Sequence, residues 1–420
     1  MSILKFIGGA LKLVTRGSTG YKLWVGLLFV LIAIGLNGYV HQSQVGLIAT
    51  HMRDQVSWGF YIGNFTFLVG VAAAAVLLVI PAYIYQWKPI KEVVILGELL
   101  AISSLIMCLL FVLADMGRPD RLKNILPFIG TLNLPGSILG WDTLVLNLYL
   151  VINLTVVAHL LYKAFMKQDY NHSIVVPLVL LSVPAAIGIH TVTSFIYAGL
   201  KARPYWNASI LAPRFIASAF CSGPAILLMV FQVLRKATRF RISDEAIWKV
   251  AELMSYAMFF NLFLLGAELF KEYYSASEHL VYTQYVFEGV HGHHAIVPFA
   301  WLALFCSITA FILFLVPQTR RHPFTLNLGC VLIYSGCYIE KGMALVIPGM
   351  TPDTLGEIYE YTPSSVEVQV ACGVFAIGFL VFTLLVKIAV PIMMGEFTVD
   401  DMTGTKSAAI APPAEIAQTA

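Results

Sequence analysis

Apolar residues in this chain come in long runs rather than at amphipathic spacing. Ten stretches of about the length that an α-helix needs to cross a hydrocarbon core occupy residues 21–40, 57–84, 91–115, 138–162, 173–199, 208–233, 246–270, 294–316, 325–347 and 368–392. The pattern predicts an all-α polytopic membrane protein with about ten transmembrane helices and both termini on one side. Lys5, Lys12 and Arg16 precede the first run and Lys22 stands at its start; the run is too long for a secretory leader and is followed by no small-residue cleavage site. Residues 1–16 alternate apolar and basic positions and are expected to form a helix lying on the inner leaflet. The Ala/Pro/Thr-rich tail 402–420 is expected to be disordered.

Composition narrows the class further. Asp, Glu, Lys and Arg make up 12% of the 420 residues, hydrophobic residues 59%, and the mean hydropathy is +0.82. A soluble domain carries about 25% charged residues, so the bilayer is the main solvent. A net charge of +3 offers no basic excess for nucleic acid, and the cations act as topology signals. Counted over the loops, seventeen Lys and Arg fall on the side of the N-terminus and seven on the other, which predicts cytoplasmic termini in an inner membrane. Trp24, Trp58, Trp87, Trp141, Trp206 and Trp248 fall near span ends, where interfacial indoles are expected. Cys108, Cys221, Cys306, Cys330, Cys337 and Cys372 lie in apolar stretches with no metal-ligand spacing, which argues against a haem or iron–sulfur cluster held by this chain.

Charge inside a span is costly and needs a partner or a task. The outer half is predicted to hold Asn37 and His41 in span 1, Asp115 in span 3, Asp142 in span 4, His190 in span 5, Arg214 in span 6, Glu268 in span 7, and Glu340 with Lys341 in span 9. The inner half holds Glu98, His159, Lys249 and Glu252. For the outer group one reading is structural pairing of Arg214 with Glu268 or Glu340, with Lys341 as a further pairing cation. The other is a redox or proton-handling site, which needs donors and acceptors at each quinone carbonyl and a group that exchanges a proton. For the inner group, Glu98 and Glu252 carry a proton, or Lys249 pairs with Glu98. His159 and His190 lie at different depths, which disfavours bis-histidine haem. His291, His293 and His294 read better as a capped helix start than as a metal site. The outer loops 271–293 and 348–367 are acidic and rich in tyrosine (Tyr273, Tyr274, Tyr282, Tyr285, Tyr359, Tyr361), either a docking surface for a protein or two solvated loops.

Several motifs then fall in order. They are Ser57-Trp58-Gly59-Phe60-Tyr61-Ile62, Asp115-Met116-Gly117-Arg118-Pro119-Asp120-Arg121, Gly140-Trp141-Asp142, Ala212-Pro213-Arg214-Phe215, Gly266-Ala267-Glu268 and Ile339-Glu340-Lys341-Gly342. Together they resemble the NrfD/PsrC family of integral-membrane quinone-interacting subunits, in its longer ten-helix branch. The resemblance implies two four-helix bundles, 57–199 with the quinone pocket and 200–347. Around them it implies an N-terminal segment 1–20, a peripheral helix and outer loop 21–56, an outer loop with a peripheral last helix 348–395, and a cytoplasmic tail 396–420.

It also implies menaquinone or another quinone as exchangeable substrate, with no bound haem or iron–sulfur cluster in this chain. A periplasmic four-cluster iron–sulfur protein and further membrane and cytochrome subunits would be its partners. Carried over, the quinone-binding residues are Asn37, His41, Trp58, Tyr61, Asp115, Arg118 and Asp142, to which the polar and aromatic positions Trp141 and His190 are added. His41 and Asp142 would exchange protons, and Glu98, Glu252, Glu268 and Glu340 would line a proton path. Arg118 has a second reading as a snorkelling cation. A secondary transporter is the rival class, although Pro184 and Pro224 are not repeat-related as its broken helices would be. A purely structural anchor is a third, and would need no outer polar cluster.

Overall fold

The computed structural model describes residues 3–400 apart from 92 and 126–128. Within them sixteen α-helices run α1 (Ile3–Thr15), α2 (Thr19–Val45), α3 (Phe60–Ala72), α4 (Ala74–Val79), α5 (Lys88–Lys91), α6 (Val94–Asp115), α7 (Ile138–Phe165) and α8 (His172–Ala198). They continue as α9 (Leu211–Ala237), α10 (Asp244–Ser275), α11 (Leu280–Phe287), α12 (Val297–Leu315), α13 (Pro317–Arg321), α14 (Pro323–Lys341), α15 (Met343–Met350) and α16 (Ser365–Met393). Nine helical stretches among the described residues are long and apolar enough to cross a membrane. The chain is therefore an all-α, multi-pass membrane protein.

Helix starts follow local chemistry. Ser18, Ser137, Asn171, Ser243 and Ser364 each offer a side-chain oxygen to an amide of the first turn, satisfying donors that no intrahelical carbonyl reaches. Ser364 and Glu367 close a reciprocal capping box. Two expected spans are not single rods. The run 57–84 breaks at Ala73 and ends in a π-turn over Ile80–Ile84, where Pro81 brings no amide donor. The ninth span bends at Gly342, whose φ of −85° and ψ of −109° leave the helical region.

Neighbouring helices form two closed circuits. In one, α3 packs on α6, α6 on α7, α7 on α8, and α8 returns to α3 and α4; in the other α9, α10, α12 and α14 follow the same cycle. α9 bridges the circuits through α3 and α8, while α2 and α16 pair outside them, with α16 against α6. That outer pair approaches backbone to backbone. A Cβ at Gly35 would stand 2.4 Å from the Gly373 Cα, the close approach that small residues permit between membrane helices.

Three expectations are corrected here. Trp206 is fully buried rather than interfacial, because its indole donates to the Leu345 carbonyl (2.8 Å) and lies where a Cβ on Gly349 would clash. The outer loops are partly helical, and Tyr282, Tyr285, Tyr361, Glu272 and Glu367 turn inward, leaving Tyr273 and Tyr274 exposed. The tail begins later than residue 396: Phe397 is buried against Phe6 and Phe165. The remaining tail expectation, from residue 401, lies outside the described residues.

Candidate functional site

The face of the bilayer opposite the N-terminus carries a buried polar cluster in the first circuit. On α8, His190, Thr193 and Tyr197 recur at i, i+3 and i+7 and therefore share one inward stripe, all three buried. Thr193 donates to the Asp142 carboxylate of α7 (2.7 Å), and the Tyr197 hydroxyl meets Thr66 of α3 in a short hydrogen bond. These two bonds tie α8 to α7 and to α3. Tyr61 donates to Gln42 of α2 (2.6 Å), and the Gln42 amide donates to the Ala114 carbonyl (2.7 Å). An aromatic group stands beside them: Trp58 stacks on Trp206 at 5.8 Å and meets the edge of Tyr197 at 5.8 Å, with Tyr197 and Trp206 5.0 Å apart.

Two atoms in this cluster lack partners. Asp115 Oδ1 and His190 Nε2 are buried without a hydrogen bond, while His190 Nδ1 is held by the Ala186 carbonyl (2.8 Å). Unpaired buried polar atoms cost free energy, and such groups are the ones that a ligand hydroxyl or carbonyl satisfies. Among the described residues neither Asp115 nor Asp142 forms an ion pair.

The loop before α16 closes over this region. Glu367, fully buried, accepts from the His51 amide (3.0 Å), the Ser364 amide (2.8 Å) and the Tyr361 hydroxyl. Tyr361 in turn accepts from the Phe60 amide (2.9 Å), tying the loop to the start of α3. Burial and the adjacent Glu367 carboxylate push the Tyr361 phenol above its ordinary range, so it remains a donor.

Of the quinone-binding candidates, Trp58, Tyr61, Asp115 and Asp142 border this hydrogen-bond and aromatic network, and His190 lies one turn before Thr193 on the same buried stripe of α8. Asn37 and His41 are exposed on α2, one side of a helix whose inward stripe is Gly35, Gly38 and Gln42. Trp141 is partly exposed and donates to the Pro135 carbonyl (3.0 Å). Arg118 forms an exposed two-pronged pair with Asp120 (2.9 Å for both bonds), which holds the Asp120 carboxyl below its usual value. Gln42, Thr66, Thr193, Tyr197 and Glu367 joined the site unforeseen. The spacing of Gly35, Gly38 and Gln42, and of His190, Thr193 and Tyr197, was the available signal.

The second circuit holds a different arrangement. Arg214 of α9 binds Glu268 of α10 in a short ion pair and Glu340 of α14 at 2.8 Å. Asn261 donates to Glu340 (3.3 Å), and Lys341 lies 3.7 Å from Glu340 and over the Phe215 ring at 5.0 Å. Beside them is a cavity of about 50 Å³ lined by Tyr205, Glu272 and Ser307 among others, room for a few waters. Toward the N-terminal face, Glu98 is buried with Oε2 unpaired and near Tyr83, whereas Glu252 pairs with Lys249 (3.1 Å) and Tyr256 (3.0 Å). His159 accepts from the Asn171 amide (3.2 Å). His294 bonds the Glu288 carbonyl (3.0 Å), and His293 faces Glu360 at 3.6 Å.

A multi-pass helical protein with an unsatisfied acid, imidazole and aromatic cluster at one membrane face defines a class, that of integral membrane subunits with a buried polar site. The particular family follows from sequence comparison: residues 49–352 match the family described as Polysulphide reductase, NrfD. The chain belongs to that family. It is similar to a putative membrane subunit of the dimethyl sulfoxide reductase of Halobacterium salinarum (26% identity, 85% of this chain and 88% of the relative). It is also similar to a subunit of the selenate reductase of Mesobacillus selenatarsenatis (21%, covering 87% and 93%) and to an Hdr-like menaquinol oxidoreductase integral membrane subunit of Archaeoglobus fulgidus (22%, covering 90% and 95%).

Proposed function

We propose that this chain is the quinone-binding membrane subunit of a respiratory redox complex, with its site in the cluster around Asp142. The observation that carries the reading is the pair of unpaired buried atoms, Asp115 Oδ1 and His190 Nε2, beside stacked aromatics at one membrane face. A quinol head offers two hydroxyls to such groups and a flat ring to Trp58. Oxidation of quinol to quinone releases two electrons and two protons. Asp142, oriented by Thr193, accepts one proton and His190 Nε2 the other, while the electrons pass to an iron–sulfur protein docked on the same face.

The bias of Lys and Arg toward the N-terminal side supports placing that face in the periplasm and both termini in the cytoplasm of an inner membrane. A menaquinol oxidoreductase subunit among the relatives supports menaquinone as the substrate. The motif order is most like DsrP-type subunits of DsrMKJOP-like complexes, a resemblance that points to sulfur metabolism, a DsrO-like four-cluster partner and cytochrome-bearing neighbours. Purification of the native complex tests this. Copurification of a four-cluster iron–sulfur protein that menaquinol reduces supports the reading; a complex lacking any such protein overturns it.

A second reading adds proton translocation through the first circuit. Glu98, buried beside Tyr83 with one oxygen unpaired, supports it, whereas Glu252, Glu268 and Glu340 are engaged in ion pairs.

A further inference from the structure

On the N-terminal face a deep crevice of about 920 Å³ separates the α2/α16 pair from α9. Its walls are Trp24 and Leu100, the α9 residues Ile226, Met229, Val230 and Val233, and the α16 residues from Phe379 to Val390. Ser18, Thr238, Arg239 and one acid, Glu396, lie at its mouth just beyond the helix ends, and Lys387 stands in the α16 wall within two turns of that end. Arg239 is exposed, and Lys387 lies over the Tyr21 ring at 5.0 Å. Among the described residues neither cation forms an ion pair.

The dimensions select the occupant. From Ile226 to Ala237 the α9 wall rises through eleven residues, about 16 Å of helix, and the α16 wall from Phe379 to Val390 is equally tall. Half of a ~30 Å hydrocarbon core is about 15 Å, so the crevice is one leaflet deep. A partner's transmembrane helix would need both leaflets. A quinone fills such a slot with its tail but presents a neutral head, which leaves two cations unmatched. Water in an apolar slot of this size is unfavourable.

We propose that this crevice is a binding site for one anionic phospholipid of the leaflet at the N-terminal face. Its phosphate lies between Arg239 and Lys387, and its acyl chains fill the wall between α9 and α16. Trp24, which donates to Thr383 (3.1 Å), flanks the glycerol level as an interfacial indole. The bound lipid thereby joins the peripheral helix pair to the second circuit. This assignment stands apart from the quinone reading and survives its failure.

Native mass spectrometry of the delipidated, detergent-purified full chain is the test, with chain-matched phosphatidylglycerol and phosphatidylcholine added back. Each cation near an anionic headgroup favours it about fivefold, so the wild type is expected to retain phosphatidylglycerol about thirtyfold better, and R239Q/K387Q to lose that preference. Val233→Trp, which fills the slot, is expected to lower retention of both lipids while thermal unfolding shows a folded chain. Excess inorganic phosphate is expected not to displace the lipid. Equal retention of the two lipids by the wild type, a preference unchanged in R239Q/K387Q, or displacement by menaquinone or by phosphate alone would overturn the proposal.

Discussion

The two polar clusters at the face opposite the N-terminus use similar residues for opposite ends. In the second circuit every charge has a counter-charge: Arg214 holds Glu268 and Glu340, and Lys341 stands beside Glu340. In the first circuit Asp115 and Asp142 have no cation among the described residues; buried atoms without a hydrogen bond occur in both circuits, Asp115 Oδ1 and His190 Nε2 in the first and Arg214 Nε, Asn261 Oδ1 and Lys341 Nζ in the second, so the contrast is one of counter-charge. Buried charges that are neutralised in place are packing solutions. Buried acids left without a cation are the groups that we propose take a proton from a substrate hydroxyl. The difference lies in counter-charges, not in composition.

The largest effect that separates the clusters is expected from Arg214→Gln. Removing one member of a buried ion pair costs about 3–5 kcal/mol because the remaining charges are uncompensated, so the folded yield and thermal midpoint should collapse. A variant that folds normally would break the contrast. Asp142→Asn should instead leave the thermal midpoint near that of the wild type and lower quinol oxidation at least about a hundredfold, the scale of a lost general base. Glu98→Gln should reduce the pH change in proteoliposomes while quinone binding stays intact; an equal loss of both would make Glu98 structural. Thr193→Val, which removes the hydroxyl that orients Asp142, should cost about tenfold in turnover, on the scale of one hydrogen bond to a charged group. The smallest effect is expected from His41→Ala and Asn37→Ala, exposed on α2, with quinone affinity unchanged within experimental error.

Nine of the ten apolar runs were legible as helices of spanning length, whereas the run 57–84 breaks at Ala73. What the runs did not carry was which side of each helix faces inward. His41 and Gln42 are adjacent in sequence but about 100° apart around α2, and hydropathy does not separate them; the small residues Gly35 and Gly38 do. Arg118 looked like a site residue by its motif, yet Asp120 two positions later captures it. Trp206 reads as interfacial until Gly349, more than a hundred residues later, opens the space that buries it. Helix breaks at Ala73 and Gly342 likewise depend on tertiary packing that a hydropathy window averages away.

The direct measurement of the central claim is a titration of the purified complex with a menaquinone analogue, wild type against Asp142→Asn. The account predicts one saturable site in the wild type and about tenfold or greater weakening in the variant, with Arg118→Ala unchanged. No binding by the wild type, or equal binding by Asp142→Asn, would contradict it.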